Sequence, residues 1–342
     1  MRHIIAAFLA AALGVTGAAC GSPSGPAGSP GATVGTAQDG PAQAPAAPAL
    51  RVVATTPLVG DVVRVVGGDR VELTVLVPAG TDPHGFEPAP RDAAAIAAAD
   101  AVFMNGLGID DYLVPLVTGS GGGARVVVLS DGITPIRLPE GGGHGEAEGT
   151  GDDHADEAHP GEGAAPDPHV WWDPANVIVW ADAVEQTLAE LDPAGAGTYA
   201  ASAGAYRDEL RTLDAWIEAQ VATVPMDRRV LVTDHQVMGY FAARYGLAQV
   251  GAIVPGYSTL AEPSAGEVAA LEDAVRRLGV PAIFVGQTVG PGLAQRVADD
   301  TGTRLVFVHA ESLGAPGGPA ATYVDMMRFN VAAIAGALAA AP

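Results

Sequence analysis

Two runs of short apolar strands alternating with helices, set apart by a long helical stretch, limit this chain to few folds. In the first run "RVVATT" and "VELTVLVP" read as strands, with "VGDVVRVVGG" between them as a helix closed by Gly67 and Gly68. "RDAAAIAAAD" is helical, and "AVFMNG" and "ARVVVLSDG" are further strands. From Asn176 to about Thr223 the pattern is helical throughout, with one stop at Asp192-Pro193. Its second half places Tyr199, Tyr206, Leu210, Leu213 and Ile217 near one face. Alternation then restarts at "RRVLVTDHQ" and continues through "PAIFVGQ" to "TRLVFVH", with Ser264 and Glu267 forming a capping box at one helix start. Alternation of this kind implies parallel sheets. The predicted fold class is α/β: two lobes, each a mostly parallel sheet flanked by helices, joined by one long rigid helix. The lobes are assigned to residues 50–193 and 225–342, and the linking helix to 194–224.

Two segments stand outside this pattern. Arg2 and His3 precede an apolar stretch from Ile4 to about Val15, and "TGAAC" follows, so residues 1–19 read as an export signal. Cys20, the single cysteine, stands where a bacterial lipoprotein is lipidated; with no second thiol, neither an internal disulfide nor a thiolate metal site is available. Residues 20–49, rich in Gly, Pro, Ser and Ala, read as a flexible tether from that anchor. The chain is therefore expected outside the cytoplasm, held at the membrane by lipid. Residues 140–166 have no apolar side chain larger than Ala, and are expected to form a mobile loop. That loop carries His144, His154 and His159 among eight acidic residues, which suits weak, exchangeable cation binding as well as plain solvation.

Charge excludes one class of partner. With 17 basic and 39 acidic residues the formal charge is −22, which argues against nucleic-acid binding and favours attraction of cations. Outside the signal and the loop four histidines remain: His84, His169, His235 and His309. Three of them follow predicted strands, and ligands of open α/β sheets bind beyond the carboxyl ends of strands. His84 and His169 each close an Asp-Pro-His turn, in which proline fixes the backbone and the aspartate is placed to orient the imidazole. Three imidazoles and a carboxylate suit Zn²⁺. Imidazoles of ordinary pKa, near ~6.5, would lose such a metal as pH falls through about 6 to 5.

"TDPHGFEPAPRD", "DPHVWWDPAN", "VTDHQVMGYFAARYGL", "AEPSAGEVAAL" and "TYVDMMRFNV" resemble the motifs of the zinc- and manganese-binding solute-binding proteins of metal ABC transporters, over about Arg51 to Leu338. The resemblance implies two lobes bridged by a rigid helix and a metal held in the cleft by four side chains. Carried over position by position, these are His84, His169, His235 and Glu311. At the third position zinc-type members tend to have His and manganese-type members Glu. At the fourth, "ESLG" stands where Asp is usual; His309, two residues earlier, is the alternative ligand if the segment stays extended. The implied role is capture of Zn²⁺, with Mn²⁺ the alternative, for delivery to an ABC permease by a chain acting as a monomer. A surface adhesin is a second reading. A zinc hydrolase is a third; it would need Glu87 as general base, and the chain has no HExxH, nucleophile elbow or phosphate loop.

Overall fold

A computed structural model describes residues 49–137 and 165–340. Along the chain run β1 (Leu50–Ala54), α1 (Pro57–Gly67), β2 (Val71–Val75), α2 (Pro90–Ala98), β3 (Ala101–Met104), α3 (Val114–Gly119) and β4 (Arg125–Val128). Then come α4 (Pro174–Leu191) and α5 (Ala196–Ala222). The second half holds β5 (Val230–Thr233), α6 (Gly239–Tyr245), β6 (Ala248–Ala252), α7 (Ala265–Leu278), β7 (Ala282–Gly286), α8 (Gly292–Thr301), β8 (Arg304–Val308) and α9 (Tyr323–Ala339).

The strands form two four-stranded sheets, ordered β2-β1-β3-β4 and β6-β5-β7-β8, and every pairing is parallel. Both orders describe one topology. In each sheet the chain turns back between its first and third strand, the switch point at which the strand ends leave a crevice. Asp110 spans that point in the first lobe, accepting from Thr55 Oγ1 after β1 and from the Asn105 amide after β3. Asp234 does so in the second, following β5 and accepting from the Gly286 amide at the end of β7.

Helix α5 is 27 residues long, on the order of 40 Å. Asp192 breaks it from α4 by capping the Gly195 amide while accepting from Arg70 and from the Tyr199 hydroxyl. Its buried face is Tyr199, Ala203, Tyr206, Leu210, Leu213, Ile217 and Val221, at the three- and four-residue spacing of one stripe. Helix α9 was not recognisable as an element from the sequence. It buries Tyr323, Val324, Met327, Val331, Ile334 and Leu338 on one face and exposes Asp325, Arg328, Ala332, Gly336 and Ala339 on the other; that outer stripe is mostly Ala and Gly, so polarity in the sequence hardly marks the period.

One apolar cluster runs through both lobes. It joins Val52 and Phe103 of the first sheet to Leu231 and Phe284 of the second through α1, α4, α5 and α9. Each lobe has in addition its own smaller core: Val53, Ile96 and Val102 under α2 and α3, and Val232, Leu271, Ile283 and Val297 under α7 and α8. The two sheets are thus fixed to a common helical layer, with their strand ends facing one crevice.

Candidate metal centre

His84, His169, His235 and Glu311 come together in that crevice, each offering a ligand atom within 4.8 Å of all the others. His84 arrives on the loop between β2 and α2. His169 stands just before α4, His235 just after Asp234 at the end of β5, and Glu311 in the bend that follows β8. The Glu311 Oε1 atom is the common neighbour: it lies 2.8 Å from His84 Nε2, 3.3 Å from His169 Nε2 and 3.2 Å from His235 Nε2. The two Nε2 atoms of His169 and His235 are 3.3 Å apart. The His84 contact is close but misaligned, so its Nε2 makes no hydrogen bond, and Glu311 Oε2 also lacks a partner. Buried polar atoms left unpaired at one point are what a cation site looks like when its donors are aimed at the cation rather than at each other.

Two of the rings are held from behind. Asp167 Oδ1 accepts from the His169 amide at 2.9 Å and lies 2.8 Å from its Nδ1. Asp234 Oδ1 does the same for His235, at 2.8 Å to both amide and Nδ1. A carboxylate on Nδ1 makes that nitrogen the donor and leaves the Nε2 lone pair free toward the cluster. The Asp-Pro-His pattern points to the first of these carboxylates. Asp234, adjacent to its histidine and without the proline, was not singled out from sequence, although "TDHQ" carries the signal. The first Asp-Pro-His turn behaves differently: Asp82 Oδ1 accepts from the His84 amide, while its Oδ2 accepts from Thr259 Oγ1 of the other lobe at 2.6 Å.

Further contacts seat the His169 turn. Asn105 Nδ2 donates to the Pro168 carbonyl, and the Tyr240 hydroxyl donates to the Asp167 carbonyl. Trp171 Nε1 donates to the Ala310 carbonyl, tying the turn to the segment that carries Glu311. Close packing leaves no slack here: a Cβ on Gly239 would stand 2.6 Å from Asp167 Oδ2.

Electrostatics bind a proton into this cluster. Burial disfavours a charged His235, but the Glu311 charge and the Asp234 hydrogen bond outweigh it and push the imidazole up to about 10. His169 is raised too, its burial overcome by hydrogen bonds to Asp167 and Glu311. Burial works against a charged Glu311, but the charge on His235 and hydrogen bonds from His169 and His235 outweigh it and hold the carboxyl well below the usual carboxylate range. Competition between protons and a cation therefore reaches into neutral and mildly alkaline pH, well above the window expected for imidazoles of ordinary pKa.

His309 lies apart from the group. The chain leaves the extended conformation after Val308 and bends through Ala310–Ser312, so positions 309 and 311 do not share a side. The His309 ring stands on Phe329, its Nε2 lies 3.2 Å from the Gln287 amide nitrogen, and partial burial lowers its pKa. Glu87 is exposed and, among the described residues, belongs to no cluster of metal-type donors. Cys20, His144, His154 and His159 lie outside the described residues.

Two matching α/β lobes with a metal-type donor set between their strand ends define a two-lobed binding protein. The model of the family described as zinc-uptake complex component A, periplasmic, matches residues 52–337, and the chain belongs to that family. Among its relatives, the manganese-binding lipoprotein MntA of Halalkalibacterium halodurans is 31% identical over 332 residues, 97% of each chain. The iron-binding protein YfeA of Yersinia pestis is 27% identical, over 84% of this chain and 85% of its own. The solved structure of the periplasmic zinc-binding protein TroA of Treponema pallidum superposes with a TM-score of 0.74 at 26% identity, covering 85% of this chain and all of that one. These names carry three different metals, so membership alone leaves the metal open. The family is one of substrate-binding components rather than enzymes.

Proposed function

We propose that this protein captures a single Zn²⁺ ion outside the cytoplasm and delivers it to the permease of an ABC importer. His84, His169, His235 and Glu311 are the ligands in this reading. The observation that carries it is the convergence of three imidazole Nε2 atoms on one buried carboxylate, with Asp167 and Asp234 fixing the tautomers of two of them. Three nitrogens and one oxygen supply a four-coordinate site for a borderline cation, whereas Mn²⁺ favours more oxygen donors. All four donors come from one chain, which supports a monomer as the working unit. Cys20 as a lipid anchor is supported by the sequence before it and by the name of MntA, a lipoprotein aligned over nearly its whole length. His144, His154 and His159 are read as weaker, exchangeable donors.

Mn²⁺ is the second reading, favoured by the name of that same relative and by Glu311 Oε2, which is free to add an oxygen by bidentate binding. X-ray absorption on protein loaded from an equimolar mixture of both metals decides. Zinc with four ligands, nitrogen-rich and at about 2.0–2.1 Å, is expected. A manganese signal with six mostly oxygen neighbours would overturn the zinc assignment. No stoichiometric binding of either metal would overturn the site itself.

A further inference from the structure

Resting on that reading of the site, we infer that His84 is the ligand through which cargo enters and leaves, and that Thr259 and Ser312 are positioning residues that latch its loop shut. Three of the four donors cannot yield easily. The side chains of His169, His235 and Glu311 are fully buried, while that of His84 keeps 9% of its surface exposed. A cavity of about 460 Å³ opens directly over His84, walled by Leu107, Tyr112 and Pro166 of the first lobe and Tyr257 and Leu260 of the second.

The loop that carries His84 is built to move as a piece. Val77 still donates to the Thr55 carbonyl in line with β2, and Phe86 packs near Tyr112, so the free span lies between them. Gly80 takes a positive φ of 80° at one end of it, a conformation that only glycine adopts without strain. Within this span two hydrogen bonds reach across to the second lobe. The Gly80 amide donates to Ser312 Oγ at 2.7 Å, and Thr259 Oγ1 donates to Asp82 Oδ2 at 2.6 Å. Asp82 in turn accepts from the His84 amide, so the Thr259 hydroxyl holds the ligand's own backbone through one carboxylate.

Opening by separation of whole lobes is the alternative, and it would have to break far more. Trp171 Nε1 to the Ala310 carbonyl, the Tyr323 hydroxyl to the Trp171 carbonyl, and the Tyr323 amide to Asp61 are buried bonds across the molecule, embedded in the shared core. Swinging the His84 loop breaks two part-buried bonds and leaves the shared core intact, exposing the cation to the cavity.

A latch that touches no ligand atom acts equally on the empty and the loaded protein. Its loss should raise the rates of binding and release together and leave their ratio nearly unchanged. A residue that merely shapes the site would raise release alone. The test uses the full chain with Zn²⁺. Association is followed by stopped-flow through tryptophan fluorescence, since Trp171 lies 5.3 Å from the His169 ring; release is followed into excess chromophoric chelator. Thr259→Val and Ser312→Ala should each raise both rates about fivefold, the loss of one ordinary hydrogen bond, with Kd moving less than about twofold. Thr259→Ser, which keeps the hydroxyl, should restore both rates. Release rising alone with a matching loss of affinity overturns the latch, as does no change in either rate with the three proteins equally folded. Failure of the unsubstituted protein to bind Zn²⁺ one-to-one would instead overturn the site reading on which the latch rests.

Discussion

Asp82-Pro83-His84 and Asp167-Pro168-His169 are the same three residues in the same kind of turn, with the aspartate accepting from the histidine amide at 2.9 Å in both. They diverge at the second contact. Asp167 turns its Oδ1 onto the imidazole as well, and its turn is gripped by Asn105, Tyr240 and the Trp171 neighbourhood. Asp82 spends its other oxygen on Thr259 in the opposite lobe. One turn fixes a ring; the other fixes a loop. A short motif therefore supplies a backbone shape, and the surrounding fold decides whether the carboxylate orients an imidazole or fastens a segment.

Replacing the rings themselves should give the largest contrast. His169→Ala removes a proposed ligand from the rigid side and should cost more than about a thousandfold in Zn²⁺ affinity, the loss of one of four bonds in a closed site. His84→Ala should cost clearly less, because water from the cavity can take the vacated position. Calorimetric competition titrations check both, and equal losses would erase the distinction between the turns.

Next in size are the carboxylates. Asp167→Asn should weaken Zn²⁺ binding about 10- to 100-fold, the usual cost of losing the acceptor behind a ligating histidine. Asp82→Asn keeps the backbone acceptor and should shift affinity by less than about threefold. If the two substitutions cost the same, Asp82 also orients its ring.

The trapped proton gives a smaller effect, spread over a range of pH. With His235 raised to about 10, the metal-free cluster carries a proton that the cation must displace. Apparent affinity should therefore rise about tenfold per pH unit between about 7 and 9, and calorimetry in buffers of different ionisation enthalpy should show close to one proton released per ion. Folding linkage has the opposite sign for the two partners. The contribution of His235 is complete below its ordinary value of 6.5 and fades as pH rises through about 10. That of Glu311 is complete above its ordinary value of 4.5 and fades as pH falls through its lowered folded value. The metal-free protein should be most stable between those two ordinary values, and the rise in Tm on adding Zn²⁺ should grow toward alkaline pH.

The smallest change is expected from deleting residues 140–163, which should leave the tight site unaltered and remove only weaker binding. The cut spares Arg137 and Pro166, which pair across the base of that segment. Loss of the tight site on titration would mean that the segment supplies a ligand.

Much of the fold is legible in the sequence because buried parallel strands are continuous apolar runs, and "AVFM" and "AIFVG" carry that signature over residues that are buried throughout. The long helix shows through the stripe from Tyr199 to Ile217. Helix α9 does not, since the stripe it exposes, Asp325, Arg328, Ala332, Gly336 and Ala339, is mostly Ala and Gly and carries little polarity to mark its turns. At the site, histidines after strands and the Asp-Pro-His turns are visible in one dimension. Their convergence is a property of two lobes meeting and has no local trace. Which of His309 and Glu311 faces the cluster depends on whether the chain stays extended past Val308, and the bend there has no strong turn residue before Gly314.

The apolar cluster that runs from Val52 and Phe103 through the helical layer to Leu231 and Phe284 also bears on how the molecule comes apart. Neither sheet has a complete inner face without the helices it shares with the other. Heat should thus dissolve both halves in one transition, with calorimetric and van't Hoff enthalpies in agreement. For a protein that works outside the cytoplasm, as proposed, this has a practical meaning for proteolysis. No half-open form with one lobe melted and the other intact is available to be cut, so its working life there is set by the stability of the whole.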